Sequence, residues 1–304
     1  MRVCALALAL LAAAFSNAPA AEVLAEVWPE VPAVATDYRQ LKREYPLALI
    51  DRPLLLPRFM SEPSAEIAMT NFSGGSSAGA VALGFDIGLS RRYALGLLID
   101  VPFYPNANFG EAVLNSEIRL NRFLNLRIDV GVQHPFRTST VFDNQSSWGA
   151  ILGLGLPFKL KLHRMFALVS GSSDARGFGP SLFLASARQK VYTTGYLMTN
   201  DLIAVAVQTD GTVAGAFSIP VGVLFAPHPR FSLTLRSGYR LSFLSGGRAP
   251  VHYVPIALDA QVTVVRSFDV GVSAVLPGIV DGTLNGAEGY ADLRIFTLWM
   301  QGRF

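Results

Sequence analysis

Cysteine occurs once in this chain, at Cys4, inside an N-terminal stretch that reads as removable. The mature chain is therefore expected to have no disulfide, no thiolate metal site and no cysteine nucleophile. Charge is scarce as well. Asp, Glu, Lys and Arg make up 15% of the 304 residues, against roughly a quarter in an average soluble domain. Apolar residues make up 51% and the mean hydropathy is +0.38, so much of the surface is expected to face something other than water. The net charge is only +3 and there is no polybasic run, which argues against a nucleic-acid partner.

Catalytic and cofactor motifs are missing too. The four histidines, His134, His163, His228 and His252, fall near predicted strand ends or turns, and none sits in a serine-containing hydrolase motif. No HExxH occurs, the Asp143-Asn144 and Asp281…Asn285 loops match no calcium pattern, and GFGP at 177–180 reads as a turn. The expectation is a non-enzyme without metal or cofactor. A long apolar helix is also lacking. The best contender, GTVAGAFSIPVGVLFAPHP (211–229), contains Pro220 and alternates its bulky residues, whereas a spanning helix needs about 20 uninterrupted apolar residues.

The N-terminus has a positive start at Arg2, an apolar stretch from Val3 to Phe15, and Ala18-Pro19-Ala20. These are the parts of an export signal, with cleavage expected after Ala20. Residues 21–57 differ in kind: Pro29, Pro32, Pro46, Pro53 and Pro57 punctuate them, and TDYRQLKREY is a short helix-like patch that Thr36 or Asp37 can cap. The segment is expected to be a periplasmic tail, with a small plug in the lumen as the alternative.

From residue 58 onward one pattern repeats. In FSLTLRSGYRLSFL (231–244), Phe231, Leu233, Leu235, Tyr239 and Leu241 alternate with Ser232, Thr234, Arg236, Gly238 and Arg240. A period of two marks a strand with one apolar and one polar face. The same alternation runs through Val81–Leu89, Leu124–Val132, Leu152–Leu162, Val254–Val264 and Phe268–Leu276. Between the runs an arginine sits beside an aromatic: Arg58-Phe59, Arg92-Tyr93, Arg122-Phe123, Arg230-Phe231 and Arg303-Phe304, with looser forms at Arg164-Met165-Phe166 and Arg266-Ser267-Phe268. The spacing is about 30–40 residues except between Arg164 and Arg230, where a further turn near Arg188–Tyr192 would restore the period. Longer polar loops, PNANFG (105–110), PFRTSTVFDNQS (135–146), SGGRAP (245–250) and PGIVDGTLNGAE (277–288), fall between these turns.

Short turns at one end and long loops at the other describe an all-β transmembrane barrel: antiparallel, up-and-down, with about 14 strands, or 12 without the turn near residue 190. A closed sheet pairs every backbone polar group without an edge, as lipid requires. Phe59, Tyr93, Phe123, Phe231, Phe268 and Phe304 would lie at one headgroup level, with Phe103, Trp148, Phe243 and Tyr290 toward the other. The arginines beside the first set are expected to snorkel into water. A soluble β-sandwich also alternates, but it needs no aromatics at both ends of so many strands.

The final residues, FTLWMQGRF, resemble the terminal strand of the bacterial outer-membrane β-barrel (porin-like) superfamily, which ends in phenylalanine. Phe296, Leu298, Met300 and Phe304 share one parity, and Gly302 departs from the large apolar residue usual at its place. The resemblance implies residence in the bacterial outer membrane, contact with its lipid, and docking of this strand on the barrel-assembly machinery. Strand count and N-terminal extension also resemble the fourteen-strand fatty-acid channels. With the apolar parity toward lipid, the lumen would receive Asp86, Asp100, Asn115, Glu117, Arg119, Arg127, Asp129, Gln133, Lys159, Lys161, Arg236, Arg240, Asp259, Gln261 and Asp269. Two readings follow: a water-filled channel for small solutes with a charged wall, or a plugged or structural barrel with no open pore.

Overall fold

The computed structural model describes residues 44–71, 77–104, 109–133, 148–170, 182–186, 191–195, 201–208, 213–244, 251–281 and 294–304. The export signal, its cleavage point and residues 21–43 lie outside the described residues. One short 3-10 turn, Leu49–Asp51, precedes sixteen strands. They are β1 (Ser61–Asn71), β2 (Ser77–Gly88), β3 (Tyr93–Tyr104), β4 (Glu111–Arg119), β5 (Asn125–Gln133) and β6 (Gly149–Gly155). Then come β7 (Lys159–Lys161), β8 (Phe166–Val169), β9 (Leu182–Ser186), β10 (Val191–Gly195) and β11 (Asp201–Gln208). The last five are β12 (Val213–His228), β13 (Phe231–Leu244), β14 (Val251–Val265), β15 (Phe268–Asp281) and β16 (Arg294–Gly302).

Fourteen of these strands hydrogen-bond into one sheet, in the order β11-β6-β5-β4-β3-β2-β1-β16-β15-β14-β13-β12-β8-β7, every pair antiparallel. The first and last long strands meet, with Ser64 opposite Gln301 through to Asn71 opposite Arg294. A further pairing, β11 with β12, links the two flanks of that order, so β1–β6 and β11–β16 form a closed cycle of twelve. β7 and β8 extend the wall at the turn end: β8 pairs with β12 at Gly222–Phe225, below the stretch Val213–Phe217 that pairs with β11. The turn expected near Arg188–Tyr192 lies outside the described residues up to Lys190; β10, which includes Tyr192, pairs with β9 in a separate two-stranded sheet.

Alternation explains which face is which. Leu83, Val130, Leu152 and Val272 are each more than half exposed, while neighbours of the other parity, such as Ala82, Asp129, Ile151 and Gly271, are buried. Apolar side chains outside and polar ones inside invert a soluble protein, and match a barrel wall in lipid. The tight turns after β2, β4, β7, β12 and β14 carry Arg91-Arg92, Arg122, Arg164, Arg230 and Arg266. His163 and His228 hold two of them, each Nδ1 accepting from a backbone N–H, that of Met165 and that of Arg230.

A kink crosses three strands at one level. Pro220 on β12 stands opposite Gly238 on β13, and β13 and β14 break their ladder beside it, around Pro255. Gly238 has φ +156°, and a Cβ there would lie 2.3 Å from the Ile219 carbonyl oxygen. Two prolines without an N–H and a glycine without a Cβ let the backbones bend together.

Candidate functional site: the barrel interior at its turn end

The interior wall is built by the polar parity. On β4 and β5, Asn125 donates to Glu117 Oε1 at 2.6 Å, and Arg127 Nε to both oxygens of Asp129 at 3.0 Å. On β13 and β14, Arg236 grips Asp259 with Nε and Nη2 at 2.5 and 2.6 Å, and the Ser273 hydroxyl donates to the same carboxylate. Asp100 and Glu111 face each other across β3 and β4, both buried. Glu66 is buried on β1.

The lower interior is not open water. Residues 44–60, entering β1, run across the turn end as a strap with Tyr45, Leu49, Ile50, Leu54, Leu55 and Met60 buried. Leu49 and Ile50 pack on Ala167 and Val169 of β8 and on Leu224 and Ala226 of β12. Lys159 Nζ donates to the Leu49 carbonyl at 3.1 Å, and Lys161 pairs with Asp51. Toward the other wall, Arg52 enters a fully buried carboxylate, Asp269 on β15, with Nη1 at 2.5 Å and Nη2 at 3.1 Å. Its Nη2 also reaches Thr263 Oγ1 on β14 at 2.9 Å, and the guanidinium donates to the strap's own Pro46 and Leu47 carbonyls.

Asp269 is the hub. Besides Arg52 it accepts from Gln261 Nε2 at 3.0 Å and from Arg303. Arg303 in turn pairs with Glu62 on β1 at 2.6 Å, and Gln301 donates to the same carboxylate. Tyr45 lies under both guanidinium groups, 5.8 Å from Arg52 and 5.4 Å from Arg303. A cavity of about 30 Å³ remains between strap and wall, lined among others by Glu62, Asp86, Asn115, Glu117 and Lys159, room for about one water.

The structure places Asp100, Glu117, Arg127, Asp129, Lys159, Arg236 and Asp269 buried on the interior face, and Asp86, Arg119, Lys161 and Asp259 partly buried there. Arg240 pairs with Ser218 and Tyr253 through its backbone, and its side chain, like that of Gln133, lies outside what is described. One expectation is corrected. Arg303 does not snorkel into water with the other turn-end arginines. It is 2% exposed and turned inward, because it stands one residue before the end, on interior parity, between Asp269 and Glu62.

Sequence reasoning missed Arg52, Glu62, Glu66 and Glu111. Glu62 and Glu66 share a parity, but the opposite residues of β1, Ser61, Pro63 and Ala65, are too small to announce a lipid face. For the strap a signal did exist. The interior parity of β12 near the turn is Gly222, Leu224 and Ala226, apolar where a water-filled lumen calls for polar residues. Of the terminal signal, Phe296, Leu298, Met300 and Phe304 all lie exposed on the outer face.

No protein-family model and no curated protein matches the sequence. Among solved structures, the COG4313 outer membrane channel from Pseudomonas putida F1 is similar over 86% of this chain and 98% of that one, at 10% identity and a TM-score of 0.52. The NanC porin aligns over 80% and 100% at 8% identity and 0.44, and the KdgM porin over 79% and 99% at 6% identity and 0.42. At 10% identity the likeness to the first is one of fold: this chain has the fold of an outer-membrane β-barrel.

Proposed function

We propose that this protein is an outer-membrane channel for small polar solutes, with residues 44–57 as a resident strap narrowing its periplasmic mouth. One observation carries the reading: the cycle of twelve strands is wider than its own side chains can fill. Strands about 4.8 Å apart and tilted about 40° give a backbone-to-backbone diameter of roughly 24 Å. Side chains reaching in about 5–6 Å from each wall leave about 12–14 Å. A single extended segment with its side chains, about 10 Å thick, nearly occupies that space at the turn end, where Tyr45, Leu49, Ile50, Leu54 and Leu55 are buried.

In this reading the signal at 1–20 exports the chain, the C-terminal Phe296, Leu298, Met300 and Phe304 dock on the assembly machinery, and the turn end faces the periplasm. β3 and β13 stand six strands apart either way round the cycle, so Asp100 and Arg236 look across the lumen at each other's wall. A solute would pass between opposed charges. The buried strap supports a second reading, a barrel closed at rest that serves as a structural or binding element. Ion current through purified protein in a planar bilayer separates the two. Conduction supports the channel. A heat-modifiable, folded barrel that conducts nothing, with the strap or without it, overturns it.

A further inference from the structure

In the tight turns at the turn end, charge has one sign. The tight turns after β2, β4, β7, β12 and β14, the ones the described residues show at this end, each carry arginine and no acid: Arg91-Arg92, Arg122, Arg164, Arg230 and Arg266. Arg58, before β1, adds another, and every one of these side chains is exposed. The six connections between paired strands at the opposite end hold, by sequence, Arg137 and Arg248 against Asp143, Asp210, Glu288 and Asp292. A chain of net charge +3 thus concentrates its positive charge on one rim.

The rim also lies at a defined height. The apolar outer face ends there in aromatic residues, with Phe59, Phe166 and Phe304 exposed and the Arg58 guanidinium 4.4 Å above the Phe59 ring. Aromatics of this kind mark the edge of the hydrocarbon, and an arginine one residue away reaches the headgroup layer just beyond it. Arg58, Arg92, Arg164, Arg230 and Arg266 have no carboxylate partner among the described residues. The nearby acids are Asp51, which Lys161 holds, and Glu44. A planar guanidinium with free donors, held at headgroup height, suits a phosphate oxygen pair better than any other group at that level.

We propose that this arginine rim is a binding surface for the phosphates of anionic phospholipid in the periplasmic leaflet, clamping the barrel at a fixed depth. This rests on the membrane-barrel reading above, though not on the channel being open. The distribution of arginines also orients the molecule: the turn end must meet phospholipid.

The test uses the full mature chain in vesicles of phosphatidylcholine alone or mixed equally with phosphatidylglycerol, measuring urea unfolding equilibria in each. The anionic lipid is expected to favour the folded barrel by on the order of fivefold for each engaged arginine. A variant carrying Arg92→Gln, Arg164→Gln, Arg230→Gln and Arg266→Gln should lose at least tenfold of that gain. The pairs R92Q/R266Q and R164Q/R230Q each report part of it should the fourfold variant not fold. Lysine at the four positions should keep part of the gain, the charge without the planar fork. Equal preference for anionic lipid in wild type and variants overturns the proposal. So does full reproduction of the effect by inorganic phosphate in phosphatidylcholine vesicles, which would make the ligand a soluble anion. Heat-modifiable insertion into both lipid mixtures keeps the barrel reading standing in either case, whereas failure to insert in any lipid would strike that reading instead.

Discussion

Arg52→Ala should release the strap. Arg52 is 4% exposed and holds the strap to the β14–β15 wall through both oxygens of Asp269 and the Thr263 hydroxyl. Removing one partner of a buried pair costs about 3–5 kcal/mol. Asp269 keeps Arg303 and Gln261, so it is not left bare, and the lower figure applies. About 3 kcal/mol multiplies the population of undocked strap by roughly a hundred- to two-hundredfold. The other anchors persist. Lys161–Asp51 is partly exposed and contributes at most about 1 kcal/mol. Leu49 and Ile50 contribute about 1.5–3 kcal/mol each. Arg52→Ala alone should therefore raise the open probability in single-channel recordings without making every channel open, and Arg52→Ala with Leu49→Asp should approach the conductance of a barrel lacking 44–57. If deletion of 44–57 leaves conductance and open probability as in the wild type, the strap does not restrict the path. If deletion opens the channel but Arg52→Ala does not change open probability, the ion pair with Asp269 is not what holds it.

Three further outcomes follow from the wall. Val130→Arg puts a charge on the outer face, where Val130 is 54% exposed; it should cost about 2–4 kcal/mol of folding stability in vesicles, and a neutral result would mean that this face does not meet hydrocarbon. Gly238→Val forces a Cβ against the Ile219 carbonyl at positive φ and should cost at least about 1–3 kcal/mol, read as a lowered urea midpoint; unchanged stability would show that the kink does not need glycine. Arg236→Glu, beside Asp259, should move the reversal potential toward cation selectivity in an open, strap-deleted barrel, and an unmoved potential would take Arg236 off the solute's path.

The barrel was legible because its signal is redundant. Most strands outside 171–210 repeat the same alternation, and the tight turns repeat an arginine next to or two residues before an aromatic, so a weak reading of one hairpin is corrected by the next. β1 was hard to read for the opposite reason. Its outer parity begins with Ser61, Pro63 and Ala65, and it is recognised only through its pairing with β2 and β16. The site was half legible. Arg127, Asp129, Arg236 and Asp259 follow from parity, since each lies within a strand. Arg52 and Arg303 do not, because parity says nothing of a segment outside the sheet, and the Arg-Phe repeat disguised Arg303 as one more interfacial arginine.

Asp269 joins two parts of the chain that no local pattern connects. Arg303 reaches it from the last strand and Arg52 from the segment before the first, while Arg303 also holds Glu62 on β1. The pocket that receives the strap is thus assembled from β7, β8, β12, β14 and β15 and from Arg303, just after β16. The strap is also covalently tethered, with Met60 adjoining the first residue of β1, which sets its effective concentration at the mouth near the millimolar range of short linkers. The tether, the Arg52–Asp269 pair and the buried Tyr45, Leu49, Ile50, Leu54 and Leu55 together hold the strap in the mouth. In the proposed channel reading these contacts make the strap a resident restriction on the pore, one that deletion of 44–57 would remove.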